Sequence, residues 1–226
     1  MITRLILQTV IWLACMGALL FGAAGTLTWP AAWWYLIETG GVSLWVGFWL
    51  ARHDPGLLAE RLAPILQAQQ SRWDRLFMIG VSIAWSAWLV LMGLDAVRFR
   101  WSAPLPVWLV SLGSLCIFLC LFMCRNVFRA NSYAAPVVKI QASRGHKVID
   151  TGPYAYVRHP MYAAALLLFV GTPLLLGSWW GLACVPVLVT GIGWRAVREE
   201  RVLIEQLDGY ADYMTRVRYR FVPLVW

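Results

Sequence analysis

Residues 159–201 read HPMYAAALLLFVGTPLLLGSWWGLACVPVLVTGIGWRAVREER. Two apolar runs, Ala163–Leu176 and Trp179–Trp194, are split by Gly177-Ser178, and neither carries a charge. Polar residues stand at both outer ends, His159-Pro160 before the first run and Arg195-Ala-Val-Arg-Glu-Glu-Arg201 after the second. A chain that runs apolar, turns and returns apolar predicts a helical hairpin in a membrane, somewhat thin or tilted for its length. Both polar ends then meet at one membrane face, a geometry suited to a pocket for a soluble small molecule beside lipid.

The rest of the chain fits that solvent. Of 226 residues, 61% are hydrophobic and 13% charged, with mean hydropathy +0.66; soluble domains have about 45–50% apolar and about 25% charged residues. Fifteen Trp suit the membrane–water interface. Four more apolar runs precede the hairpin: Leu5–Gly25, Trp29–Leu50 (interrupted by Glu38), Leu76–Val97 and Val107–Cys124. The fold class is therefore all-α, a polytopic integral membrane protein of about six apolar helical segments, with a cytoplasmic C-terminal helix from about Trp194 to Leu207 that stops at Asp208-Gly209. Met1–Arg4 with the first run mimics a signal peptide, and retention as a spanning helix is expected. One structural domain is expected overall, with residues 1–125 as N-terminal transmembrane helices and 126–226 as the functional region.

Charge gives the orientation. Arg52, Arg61, Arg72 and Arg75 lie in one loop; Arg129, Lys139, Arg144, Lys147 and Arg158 lie in another; Arg195, Arg198, Arg201, Arg216, Arg218 and Arg220 lie in the tail. Only Arg98 and Arg100 oppose the pattern. The positive-inside rule places both termini and both polar clusters in the cytoplasm. The same rule accounts for the net charge of +8 without a nucleic-acid partner. Five Cys, three of them at helical spacing in Val107–Cys124, read as small buried hydrophobes. They give neither a disulfide framework nor a metal-ligand spacing. Glu38 is an ionisable group within a span, with Gly40-Gly41 offering it a route to a polar cavity.

The segment His146-Lys-Val-Ile-Asp-Thr-Gly-Pro-Tyr-Ala-Tyr-Val-Arg-His-Pro-Met-Tyr162 is basic and rich in turn formers. Thr151-Gly-Pro-Tyr154 reads as a turn, and His159-Pro160 as a helix start, where Pro is tolerated. On the final helix Arg195 and Glu199 fall one turn apart on one face. Taken singly, these side chains have plain structural readings. Arg195 and Glu199 could be a surface pair, Arg198 and Arg201 headgroup anchors, and Tyr210 and Tyr213 interfacial packing.

Taken together, Gly-Pro-Tyr-x-x-x-Arg-His-Pro-x-Tyr, an apolar hairpin and then Arg-x-x-x-Glu-Glu resemble the isoprenylcysteine carboxyl methyltransferase family. That family is related to the integral-membrane phospholipid methyltransferases. The similarity runs from Asn126 to the end of the chain. It implies S-adenosylmethionine as methyl donor and a lipophilic acceptor that arrives through the bilayer among membrane lipids. By resemblance, His146, Lys147, Val148 and Ile149 line the cofactor, largely through backbone groups. Tyr154 lies beside it, His159, Pro160, Met161 and Tyr162 form the strip at the helix start, Glu199 binds its polar groups, and Gln141 is a further contact. Arg195 orients the acceptor and is the catalytic candidate. The chemistry suits these types: a carboxylate can accept bonds from ribose hydroxyls or an ammonium, Tyr faces can meet a sulfonium, and an Arg fork can grip a carboxylate. The expected acceptor is a membrane-associated carboxylate or thiol, with an isoprenylcysteine-like carboxylate as what the resemblance implies. A phospholipid amine or small-thiol acceptor, a membrane reductase resembling the sterol reductases, and a non-enzymatic scaffold remain open.

Overall fold

The computed structural model describes residues 1–67 and 70–226 and is all-α. Its long helices are α1 (Ile2–Ala24), α2 (Pro30–His53), α4 (Arg72–Gly93), α5 (Val107–Ala130), α6 (Pro160–Leu176) and α8 (Val185–Gln206). Short helices α3 (Pro55–Arg61), α7 (Trp179–Ala183) and α9 (Tyr210–Arg216) fill the connections. Four stretches are long and apolar enough to cross a membrane: Ile2–Ala24, Arg72–Arg98, Val107–Ala130 and Trp179–Gln206. Pro160–Leu176 is apolar but shorter. Side chains such as Leu7, Val10, Ile11, Ile83, Leu115 and Phe118 lie exposed along α1, α4 and α5. An aqueous surface would not tolerate these rows, so the protein is an integral multi-pass membrane protein.

The expected second span forms one helix. Helix α2 has 24 residues but is not among the helices apolar enough to cross by composition alone. Its Trp, Gly and Thr residues and Glu38 lower its hydropathy. The Glu38 carboxylate accepts from Ser114 Oγ at 2.8 Å, and Trp34 Nε1 donates to the same Ser114. Gly40 serves packing, since a Cβ there would lie 2.7 Å from Leu13 Cδ1 of α1.

The hairpin forms where the sequence breaks it. Helix α6 ends at Gly177, which adopts φ 80, and Ser178 caps α7 by accepting from the Gly181 N–H at 2.8 Å. Ser178 Oγ also donates to the buried Asp95 carboxylate at 2.5 Å, fixing this turn to the end of α4. Helices α5 and α6 meet backbone to backbone. A Cβ on Gly113 would sit 2.4 Å from Leu175 N, and one on Gly171 would sit 2.7 Å from Gly113 O. In lipid, where no hydrophobic effect presses helices together, such small-residue crossings let dispersion act over the full contact. A core of Leu20, Tyr35, Leu89, Met92, Ile117, Phe169 and Leu176 fills the bundle centre. A second cluster around Leu50, Leu57, Leu58, Val127 and Phe128 fixes α3 under the end of α5. The C-terminal half of α8 and the start of α6 therefore converge at the same end as the 131–159 segment.

Candidate active site

The site is built from that segment, the start of α6, the last turns of α8, and α9. Its extended strap, residues 134–140, is tethered mostly by side chains reaching its carbonyls and amides. Arg61 Nη1 donates to Ala134 O at 2.9 Å, Arg195 Nη2 to Pro136 O at 2.8 Å, and Val138 N donates to Asp74 Oδ2 at 3.1 Å. Lys139 is ion-paired to Glu60 at 2.5 Å. A strap without helix or sheet partners needs such external bonds for its backbone groups. It walls a cleft whose enclosed space is about 120 Å³, open at its mouth to solvent.

Eleven of the twelve residues singled out from sequence line this cleft. His146, Lys147, Val148 and Ile149 form one side, and Tyr154 stands beside them. His159, Pro160, Met161 and Tyr162 form the helix start, and Arg195 and Glu199 face them from α8. Gln141 is the exception. It is buried with its amide N donating to Tyr133 O at 2.9 Å and its Oε1 accepting from Arg144 at 2.6 Å, so it shapes the loop from outside the cleft.

The two adjacent glutamates point to different tasks. Glu199 is half-buried in the cleft wall, with Oε2 accepting from the Tyr162 hydroxyl at 2.7 Å. Glu200 faces away and gathers Arg158 Nε at 2.7 Å, His159 Nε2 at 3.2 Å and Arg220 Nε at 2.9 Å. The His159 ring thus turns its Nε2 toward Glu200 while stacking on Tyr162 at 5.3 Å between centroids. The tail pairs with the strip, as Arg158 N donates to Tyr219 O and His159 N to Arg220 O, both at 2.9 Å.

Arg195 does not pair with Glu199. Its Nε and Nη2 lie 3.1 and 3.0 Å from Oδ1 of Asp74, a fully buried residue of α4, and Nη2 also reaches Pro136 O. Nη1 has no hydrogen-bond partner among the described residues. Sequence reading missed Asp74, Arg158, Glu200 and the strap. It also assigned Tyr210 and Tyr213 to interfacial packing, whereas both are buried in the cleft wall. Tyr213 donates to Tyr154 O at 2.7 Å, and Tyr210 Oη is buried without a hydrogen-bond partner among the described residues. Arg198 and Arg201 are exposed, as anchors would be, with Arg198 lying over Trp194.

His146 stacks on Tyr133 at 4.5 Å, and its Nδ1 accepts from Gln141 N–H at 3.3 Å. Burial, and then the Arg144 charge, hold its pKa below the ordinary histidine value. The unfolded chain therefore binds this proton more readily than the folded one. The stability contributed by neutral His146 is complete above the ordinary value and is lost as pH falls from there through the lowered folded-state value. Protonation also ends the Nδ1 acceptance that ties the loop. Affinity for S-adenosylhomocysteine, titrated by calorimetry, is expected to fall over that interval, and His146→Phe to flatten this part of the profile; an unchanged profile would remove His146 from the account.

Residues 108–208 match the family model for phospholipid methyltransferases. The match runs from the start of α5 past the end of α8, a little under half of the chain, and takes in most of the cleft. Methyltransferases of that family act on phospholipids and take the methyl group from S-adenosylmethionine. The match carries membrane methyl transfer with that donor, while the resemblance to the isoprenylcysteine group is the narrower reading. No curated protein matches the chain. The cleft fits the donor in kind. It offers a carboxylate with one oxygen not hydrogen-bonded among the described residues, a buried phenol without a partner, backbone from two loop segments, and Tyr154 and Tyr162 rings.

Proposed function

We propose that the protein is an S-adenosylmethionine-dependent methyltransferase whose cleft opens to the cytosol and whose acceptor is a phospholipid amine. The observation that carries this reading is the cleft wall formed by Tyr162, Glu199 and Arg195 within the matched region. The cleft lies at the end of the bundle where Arg4, Arg52, Arg72, Arg129 and Arg144 gather, and the positive-inside rule makes that end cytosolic.

When bound, the donor supplies an electrophilic methyl group on a sulfonium, and transfer is an in-line displacement. The residues supply position and dryness rather than covalent chemistry. Glu199 offers Oε1 to donor hydroxyls or ammonium while Tyr162 holds Oε2 in place. The strap and the 146–149 segment offer backbone groups, and Tyr210 Oη can take one polar partner. The acceptor reacts as a neutral amine: its nitrogen lone pair forms the new N–C bond as the S–C bond breaks, S-adenosylhomocysteine leaves as a neutral thioether, and the positive charge passes to the product ammonium. An acceptor carboxylate, the other reading, would require the Arg195 fork, whose Nε and Nη2 are already engaged.

Radiolabelled donor with purified protein and a panel of phospholipid amines, prenylcysteine carboxylates and thiols tests the reading. Amine methylation is expected to dominate, and its absence from folded, donor-binding protein would reject the amine assignment. Glu199→Ala is expected to weaken S-adenosylhomocysteine binding by roughly 10- to 150-fold, as for one lost charge-assisted hydrogen bond. The exposed Glu205, further along the same helix, gives the comparison: Glu205→Ala should leave binding unchanged.

A further inference from the structure

Asp74 belongs to α4, outside the matched region and 121 residues from Arg195, and it is fully buried. Its two oxygens accept three hydrogen bonds. Oδ1 takes Arg195 Nε at 3.1 Å and also lies 3.0 Å from Nη2; Oδ2 takes Gln70 Nε2 at 2.7 Å and Val138 N at 3.1 Å. Nη2 donates to Pro136 O at 2.8 Å. A guanidinium grips a carboxylate through two parallel N–H groups, from Nε and Nη2 or from Nη1 and Nη2. Asp74 engages Nε and Pro136 O engages Nη2, so each edge has at least one nitrogen already bonded. Nη1 alone remains, enough for a single bond.

We propose that Asp74 is the positioning residue that sets acceptor class: by engaging Arg195 it denies the cleft a carboxylate grip. This rests on the phospholipid-amine reading above and adds the reason for it. An acceptor anion meets one monodentate donor and a facing carboxylate. An amine meets a wall that does not repel it. Of the other basic residues near the cleft, Arg158, His159 and Arg220 face Glu200 and Lys139 is paired with Glu60, while Lys147 is exposed on the lining.

The test uses Asp74→Asn in the full chain. Asparagine keeps one acceptor oxygen, which stays with Gln70 Nε2 and Val138 N, while its NH2 toward Arg195 cannot accept, which frees the fork without removing the side chain. Binding of a prenylcysteine carboxylate to donor-free protein, measured by calorimetry, is expected to tighten by roughly tenfold, the scale of one added charged hydrogen bond. The carboxylate-to-amine ratio in turnover should rise with it, while S-adenosylhomocysteine affinity stays within about threefold. A folded Asp74→Asn protein with unchanged carboxylate binding overturns the proposal. If that variant does not fold, Asp74→Asn with Arg195→Gln removes both charges of the buried pair, which is better tolerated than removing one. The double variant must then show no gain in carboxylate binding, and a gain overturns the proposal. Wild-type protein that methylates carboxylates in preference to amines rejects the amine reading and this inference together. Amine preference with an indifferent Asp74→Asn rejects the inference alone.

Discussion

Glu200→Ala is expected to lower stability by about 3–5 kcal/mol, the usual consequence of removing one partner from a buried ion pair. The side chains of Glu200, Arg158 and His159 are 4%, 5% and 6% exposed, so water cannot replace the lost carboxylate. Arg158 would keep its bonds to Val217 O and Arg218 O but retain an uncompensated charge. The damage spreads because Glu200 joins three pieces: α8, the 158–159 strip before α6, and the tail at Arg220. A melting curve in detergent is the check, with S-adenosylhomocysteine affinity measured on what remains folded. The neighbouring Glu199→Ala should do the reverse, sparing the melt and weakening the ligand. Equal melts for Glu200→Ala and wild type would show that the ion cluster does not support the strip.

Adjacent positions with opposite duties mark where sequence reading runs out. The Arg-x-x-x-Glu-Glu pattern placed Arg195 and Glu199 correctly on one helical face, because 3.6-residue periodicity is local. It carried nothing about Glu200, whose partners lie 41 and 42 residues upstream and 20 downstream. Asp74 was invisible for the same reason. In sequence it is one acid at the start of an apolar helix, where the N-terminal dipole already explains it. Only the tertiary approach of α4 to α8 makes it the partner of Arg195.

What was legible followed from backbone chemistry. Gly177-Ser178 broke the hairpin, and Gly177 has the left-handed φ that Gly alone adopts cheaply. His159-Pro160 began α6, and α8 ended at Gln206, just before Gly209 with φ 81. The strap of residues 134–140 misled because its order comes from distant side chains, not from its own pattern. Tyr210 and Tyr213 resemble interfacial tyrosines in composition. Their burial depends on how α9 folds back to pack with Leu207 and Val217.

Gly171→Val is the second change with a large expected effect. Even the first added carbon would lie 2.7 Å from Gly113 O and 2.8 Å from Cys116 Cβ. The carbonyl is backbone in mid-helix and cannot rotate away, so α5 and α6 must separate. Overpacking of this kind costs typically 1–3 kcal/mol, and here the upper end or beyond is expected because the obstruction is main chain. Separation also acts at a distance. Gly171 lies 11 residues from Pro160, about 17 Å along a helix, and a small tilt at the crossing displaces the His159–Tyr162 strip against α8. Both melting temperature and S-adenosylhomocysteine affinity should therefore fall together. Gly80→Ala provides the contrast: a Cβ there meets nothing within 4 Å, and alanine is the better helix former. That variant should melt at or slightly above the wild-type temperature with unchanged affinity. A Gly171→Val protein that melts lower but binds with native affinity would show that the crossing stabilises the bundle without setting the geometry of the cleft.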